Sequence, residues 1–158
     1  MTTSQVNGVY HQVAARLCNA LNRCARESAA EYHFVADGNV VRGEASPFDA
    51  RRDSPAGTLM AGKILSVYSD REVGRSRYSG AGTPWYWEVT LSSTGNAVAA
   101  VHAHALETGH GQLPHGVRPL RPANYLVVGE WTAEDEDGIR TAFPFPIEIP
   151  WSELDPDV

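Results

Sequence analysis

The first clear pattern along the chain is a repeat of three to four. Val9, Val13, Leu17, Leu21 and Cys24 are apolar, with Ala14, Cys18 and Ala20 beside them, while Arg16, Asn19, Arg23 and Arg26 take the opposite side. This spacing predicts an amphipathic helix over residues 8–28, with Asn7 as its N-cap. The repeat then changes to two. Tyr32-His33-Phe34-Val35-Ala36 and Val40-Val41-Arg42 flank Asp37-Gly38-Asn39, and Asp-Gly between β-prone runs signals a hairpin. Residues 46–58 read as loop and residues 63–69 as a strand. Residues 70–83, with Arg71, Arg75, Arg77 and three glycines, read as a mobile loop.

Trp85-Tyr86-Trp87-Glu88-Val89-Thr90-Leu91 alternates as a half-buried strand does. Ser92-Ser93-Thr94-Gly95-Asn96 is turn chemistry, and residues 97–105 return as a second strand. If the turn is centred on Thr94-Gly95, Trp87 faces His102 and Trp85 faces His104, with Val89 opposite Ala100 and Leu91 opposite Val98. A slip of one residue would turn the histidines to the other side of the sheet. Residues 107–124 read as loop, 125–132 as a strand and 134–138 as a solvated turn. A further strand starts at Ile139. Pro144, Pro146 and Pro150 donate no ladder hydrogen bonds, so residues 143–151 read as an edge strand or extended cover strip. The expected architecture is α+β: one domain over 1–158, with the N-terminal amphipathic helix packed on a mostly antiparallel, curved β-sheet of about five to seven strands.

Composition leaves this picture in place. The chain has 158 residues, 42% of them hydrophobic and 20% charged, ordinary values for one globular domain. Cys18 and Cys24 lie about 240° apart around a helix, so they do not pair, and they fit a reducing compartment. The start of the chain has neither a basic segment nor an apolar core of a signal peptide. No apolar run approaches the ~20 residues that span a bilayer. A cytoplasmic location is the expectation.

Charge changes the picture more. The net charge is −6. Glu130, Glu134, Asp135, Glu136, Asp137, Glu148, Glu153, Asp155 and Asp157 all lie in the last part of the chain, where Arg140 is the one base. An acidic sector disfavours nucleic acid and anionic lipid and favours a basic protein partner.

Candidate chemistry centres on His102 and His104, with Glu107, His110 and His115 after them. Positions i and i+2 of a strand share a face, so two imidazoles can reach one metal. A carboxylate would complete a site of the iron, manganese or zinc type, with His102, His104, Glu107 and His110 as the ligand set. The spacing resembles the first cupin motif, which has two histidines one residue apart and a glutamate soon after. A related reading is a cupin-like or cyclase-like pocket whose wall includes Tyr86 and Glu88 beside His102 and His104, for acid–base work on a small ligand. Glycine-rich phosphate loops and G-x-S-x-G elbows are missing from the sequence.

A second resemblance rests on the predicted helix, Pro84-Trp85, and Thr90-Leu91-Ser92-Ser93-Thr94-Gly95. In these the chain resembles YezG-like bacterial immunity proteins, which neutralise polymorphic toxin domains. The resemblance implies a non-catalytic, cofactor-free binding protein with a toxin domain as partner. Independently, Glu134, Asp135, Glu136, Asp137, Glu148, Glu153 and Asp155 would supply charge to such a contact. Trp131, Phe143, Phe145 and Trp151 would supply aromatic anchors, with core packing the expectation for Trp131 and Trp151 the one expected at the surface.

Overall fold

The computed structural model describes residues 3–44, 58–107 and 124–155. Helix α1 spans Thr3–Glu27, and strands β1 (His33–Asp37), β2 (Val40–Glu44) and β3 (Met60–Leu65) follow. Helix α2 (Arg71–Gly80) leads into β4 (Trp85–Leu91), β5 (Val98–Glu107) and β6 (Asn124–Thr132). A short ribbon of β7 (Ile139–Thr141) and β8 (Ile147–Ile149) ends in the single turn α3 (Trp151–Leu154). The first six strands form one open sheet in chain order. All neighbours are antiparallel except β3 and β4. This is the α+β architecture that the periodicity predicts.

The face of the sheet carrying Trp87, Val89 and Leu91 packs on α1. Val13, Leu17, Ala20 and Leu21 are almost wholly buried there. The buried stripe of α1 is wide because the ribbon and α3 pack on it as well, adding Ile147, Ile149, Trp151 and Leu154 to the same core. Asn22 fastens α1 to the edge strand β1. Its Nδ2 donates to Phe34 O at 3.0 Å, and its Oδ1 accepts from Phe34 N at 2.8 Å. The β1–β2 hairpin closes on Gly38-Asn39, with Asp37 opposite Val40. Gly38 has φ +61, the left-handed conformation that such two-residue turns require.

Residues 70–83 are not the expected loop. A parallel β3–β4 pair needs a crossover, and α2 supplies it. Asp70 caps the helix by accepting from Glu72 N at 2.9 Å. The buried positions of α2 are Gly74, Tyr78 and Ser79, a set without the aliphatic side chains that signal a helix. Tyr78 packs with Ala61 and Tyr86 in a second, smaller core, so α2 covers the sheet face opposite α1.

The β4–β5 pairing also departs from the expected register. Leu91 does face Val98, as the turn chemistry implies. A bulge between Thr90 and Leu91 then shifts every later pair by one. Glu88 pairs with His102, Tyr86 with His104, Trp87 with Ala103 and Trp85 with Ala105. The histidines therefore leave the tryptophan face and stand on the α2 face. A single extra residue in one strand does this because side chains alternate with a period of two. The strip after Ile139 is the β7–β8 ribbon rather than one extended strand.

Leu17 is fully buried against Gly62, where an added Cβ would lie 3.1 Å from Leu17 Cδ2. Leu17→Ala should lower the free energy of unfolding by about 3 kcal/mol. Val73→Ala, at an exposed position of α2, should change it by less than ~0.5 kcal/mol. Urea denaturation of the two variants compares them directly.

Candidate functional site: the α2 cleft and the acidic ribbon

The strongest concentration of buried chemistry lies under α2. Glu88 is 1% exposed. Its carboxylate accepts from Arg75 Nε at 3.0 Å and from Arg75 Nη2 at 2.8 Å, a two-pronged bridge. Arg71, one turn earlier, brings Nη1 to 3.6 Å of the same carboxylate and donates from Nη2 to Thr90 Oγ1 at 3.2 Å. The hydrogen bonds with Glu88 hold the Arg75 guanidinium in its charged form more firmly than usual. Glu72 lies 3.7 Å from Arg75 Nη1 at the rim.

His104 stands beside this pair. Its Nδ1 is 3.0 Å from Tyr86 O. A carbonyl oxygen only accepts, so Nδ1 carries the proton and donates, which leaves Nε2 as a lone-pair acceptor. Nε2 is 3.9 Å from Glu88 Oε1, outside hydrogen-bond range. Burial holds the imidazole below its ordinary pKa of 6.5, outweighing the hydrogen bond with Tyr86 and the nearby Glu88 charge.

Stacked rings frame the site. Tyr86 lies between Tyr78 and Tyr125, with ring centroids 5.4 Å and 5.3 Å away. The Tyr125 hydroxyl donates to Thr83 O at 2.7 Å. Burial pushes the phenols of Tyr86 and Tyr125 well above their usual range. Gly74 lets α2 sit this close, since a Cβ there would come within 2.5 Å of Tyr86 Oη. Between α2 and the β5–β6 side of the sheet is a cleft of about 290 Å³ lined by Arg75, Ser76, Ser79, His104, Tyr125 and Val127, with Glu72 at its mouth.

The expected metal set is not brought together here. His102 and His104 do share a face, but His102 is half-exposed and lies 3.8 Å from Glu130 Oε1 on β6. By strand alternation Glu107 falls on the opposite face. His110 and His115 lie outside the described residues. Among the described residues, no three His, Cys, Asp or Glu side chains are grouped to hold a metal ion.

The acidic residues divide into four settings. Glu134, Asp135, Glu136 and Asp137 are exposed in the β6–β7 turn, where Asp135 Oδ2 also accepts from Thr132 N at 2.7 Å. Glu148 is exposed on β8 and accepts from Arg140 Nη2 at 2.9 Å, and Arg140 Nη1 lies 3.9 Å from Asp137. Glu153 accepts from Arg23 Nη2 at 2.7 Å and from Arg23 Nε at 3.0 Å. Asp155 and Trp151 are buried, at 3% and 7% exposure. Trp151 is thus no surface anchor: α3 turns it into the α1 core. Phe145 is buried too, against Tyr32 and Phe34. Phe143, by contrast, is exposed and stacks on half-buried Trp85 at 6.2 Å. Reading the chain alone missed Arg71, Arg75 and Tyr125 as site residues; two arginines four apart after an Asp cap were the available signal.

Comparison with protein families, with curated proteins and with solved structures gives no match for this chain. Among the described residues, no helix is long and apolar enough to cross a membrane.

Replacing one member of a buried ion pair strands the other. Arg75 is 36% exposed and Arg71 is close, so Arg75→Met should cost about 2–3 kcal/mol, less than for a wholly buried pair. The double variant Arg75→Met/Glu88→Leu should recover at least half of that loss in urea denaturation. His104 titrates below 6.5 when folded and near 6.5 when unfolded, so the unfolded chain binds more protons as pH falls. Its contribution is complete above 6.5 and is lost as pH drops towards the folded value. Stability measured on either side of 6.5 should show this decline, and His104→Gln should flatten it.

Proposed function

We propose that this chain is a non-catalytic binding protein that neutralises a basic protein partner, in the manner of the immunity proteins that its helix and Pro84-Trp85 to Gly95 segment resemble. The observation that carries this reading is the position of the acidic turn. Glu134, Asp135, Glu136 and Asp137 follow directly on β6, the last strand of the sheet, and all four are exposed. On β6 itself Leu126, Val127 and Val128 are each more than half exposed; Leu126, opposite Ala105, and Val127, opposite His104, lie on opposite faces of the sheet, and a bulge interrupts the pairing at Val128. Steering by the turn and desolvation of β6 would act together on a positively charged partner. The contact surface is therefore Glu134–Asp137, with Glu148 at its margin through Arg140, and the exposed side chains of β6 add apolar area. Glu153, engaged by Arg23, and Asp155, buried, are structural. The partner is a toxin domain in the first instance, and the setting is a cytoplasm.

The test is affinity capture from the native host with the intact chain and with Glu134→Lys/Glu136→Lys. Positions 134 and 136 are solvent-facing, so the variant keeps its fold. The reading expects one basic protein retained stoichiometrically by the intact chain, with affinity at least tenfold weaker for the variant and falling as salt rises. A retained partner indifferent to both charge reversal and salt would refute it.

A further inference from the structure

The cleft under α2 has its own chemistry, separate from the acidic turn. His104 is 3% exposed yet lines the cleft. The Tyr86 carbonyl fixes its tautomer, so Nε2 carries the lone pair, and Glu88 Oε1, 3.9 Å away, is itself an acceptor and gives it no proton. An accepting nitrogen on a cleft wall takes a hydrogen bond from a ligand that presents an O–H or N–H. We propose that the cleft between α2 and the β5–β6 side of the sheet binds a small uncharged molecule carrying a ring and a hydroxyl, its O–H donating to His104 Nε2 and its ring resting on Tyr125 and Val127.

Three observations select this class. The hydroxyl follows from His104, because only a donor satisfies an accepting imidazole nitrogen. The absence of net charge follows from the surrounding groups: Arg71 and Arg75 are matched by Glu88 and Glu72, so a carboxylate or an ammonium on the ligand would have to break an existing pair. The ring follows from the wall. Tyr125 has committed its hydroxyl to Thr83, which leaves it to act as an aromatic surface, and Val127 beside it is 54% exposed with an apolar side chain. The cleft volume of about 290 Å³ sits at the small end of ligand sites, which run from roughly 300 to 1,000 Å³. Ser76 and Ser79 on α2 supply further hydroxyls at the opposite wall.

Phenol is the probe, with anisole, its methyl ether, as the twin lacking a donor and benzoate as the charged twin. The full chain, labelled with nitrogen-15 in histidine, is titrated with each while the His104 ring nitrogens are followed by NMR. The site predicts saturable phenol binding that moves the Nε2 resonance in the direction of an accepted hydrogen bond, at least tenfold tighter than anisole or benzoate. Ser76 is exposed on α2, so Ser76→Trp fills the cleft without disturbing the core and should abolish the shift. Phenol and anisole binding alike, benzoate binding better than phenol, phenol binding that survives Ser76→Trp, or a His104 signal unmoved by phenol would each overturn the proposal.

Discussion

Glu88 places a carboxylate in the interior of a sheet face, and the rest of that side of the molecule is arranged to answer it. An unpaired buried charge of this kind costs several kcal/mol. Arg71 and Arg75 are one helical turn apart, so they project from the same side of α2, and both reach Glu88. Helix α2 has almost no aliphatic side chain to bury. Its docking therefore depends on the ion pair, on Gly74 permitting close approach to Tyr86, and on the Tyr78–Tyr86–Tyr125 stack. The opposite face is built in the usual way, from the aliphatic stripe of α1 and the tryptophan row of β4. One sheet thus carries a hydrophobic side that sets stability and a polar side that forms a cleft.

The two sides differed in how far they could be read from the chain. Helix α1 and the Asp37-Gly38 hairpin were legible because each follows one local rule, a repeat of 3.6 or a turn dipeptide; strand β4 was legible as a strand, but α1 and α2 bury both of its faces rather than leaving it half-buried. Helix α2 was not, because its buried positions are Gly74, Tyr78 and Ser79 and its anchoring cations look like solvated loop residues until Glu88 is placed beside them. The face occupied by His102 and His104 hinged on one bulge at Thr90/Leu91, which no local pattern marks. The acidic sector was legible as composition but not as surface. Arg23 meets Glu153 across 130 residues of sequence, and Trp151 goes inward because α3 folds back on α1, a long-range event invisible in Pro150-Trp151-Ser152.

These pairings sharpen the electrostatic picture. Arg23 engages Glu153, Arg140 lies by both Glu148 and Asp137, and Asp155 is interior, so among the described acidic residues after Gly129 the turn between β6 and β7 holds the largest exposed group. Strand β6 connects the two candidate surfaces. Val127 is exposed and lines the cleft, while the acidic turn lies at the strand's C-terminal end.

Charge pairing to Glu88 contributes more than the aromatic contacts of Tyr78 to holding α2 on the sheet. Amide hydrogen exchange measured along both helices, in the intact chain and in Glu88→Leu, tests this most directly because it reports each helix separately. The account predicts that amides of Arg71–Gly80 lose at least tenfold more protection than those at the centre of α1. Equal loss in both helices, or α2 protection left unchanged, would contradict it.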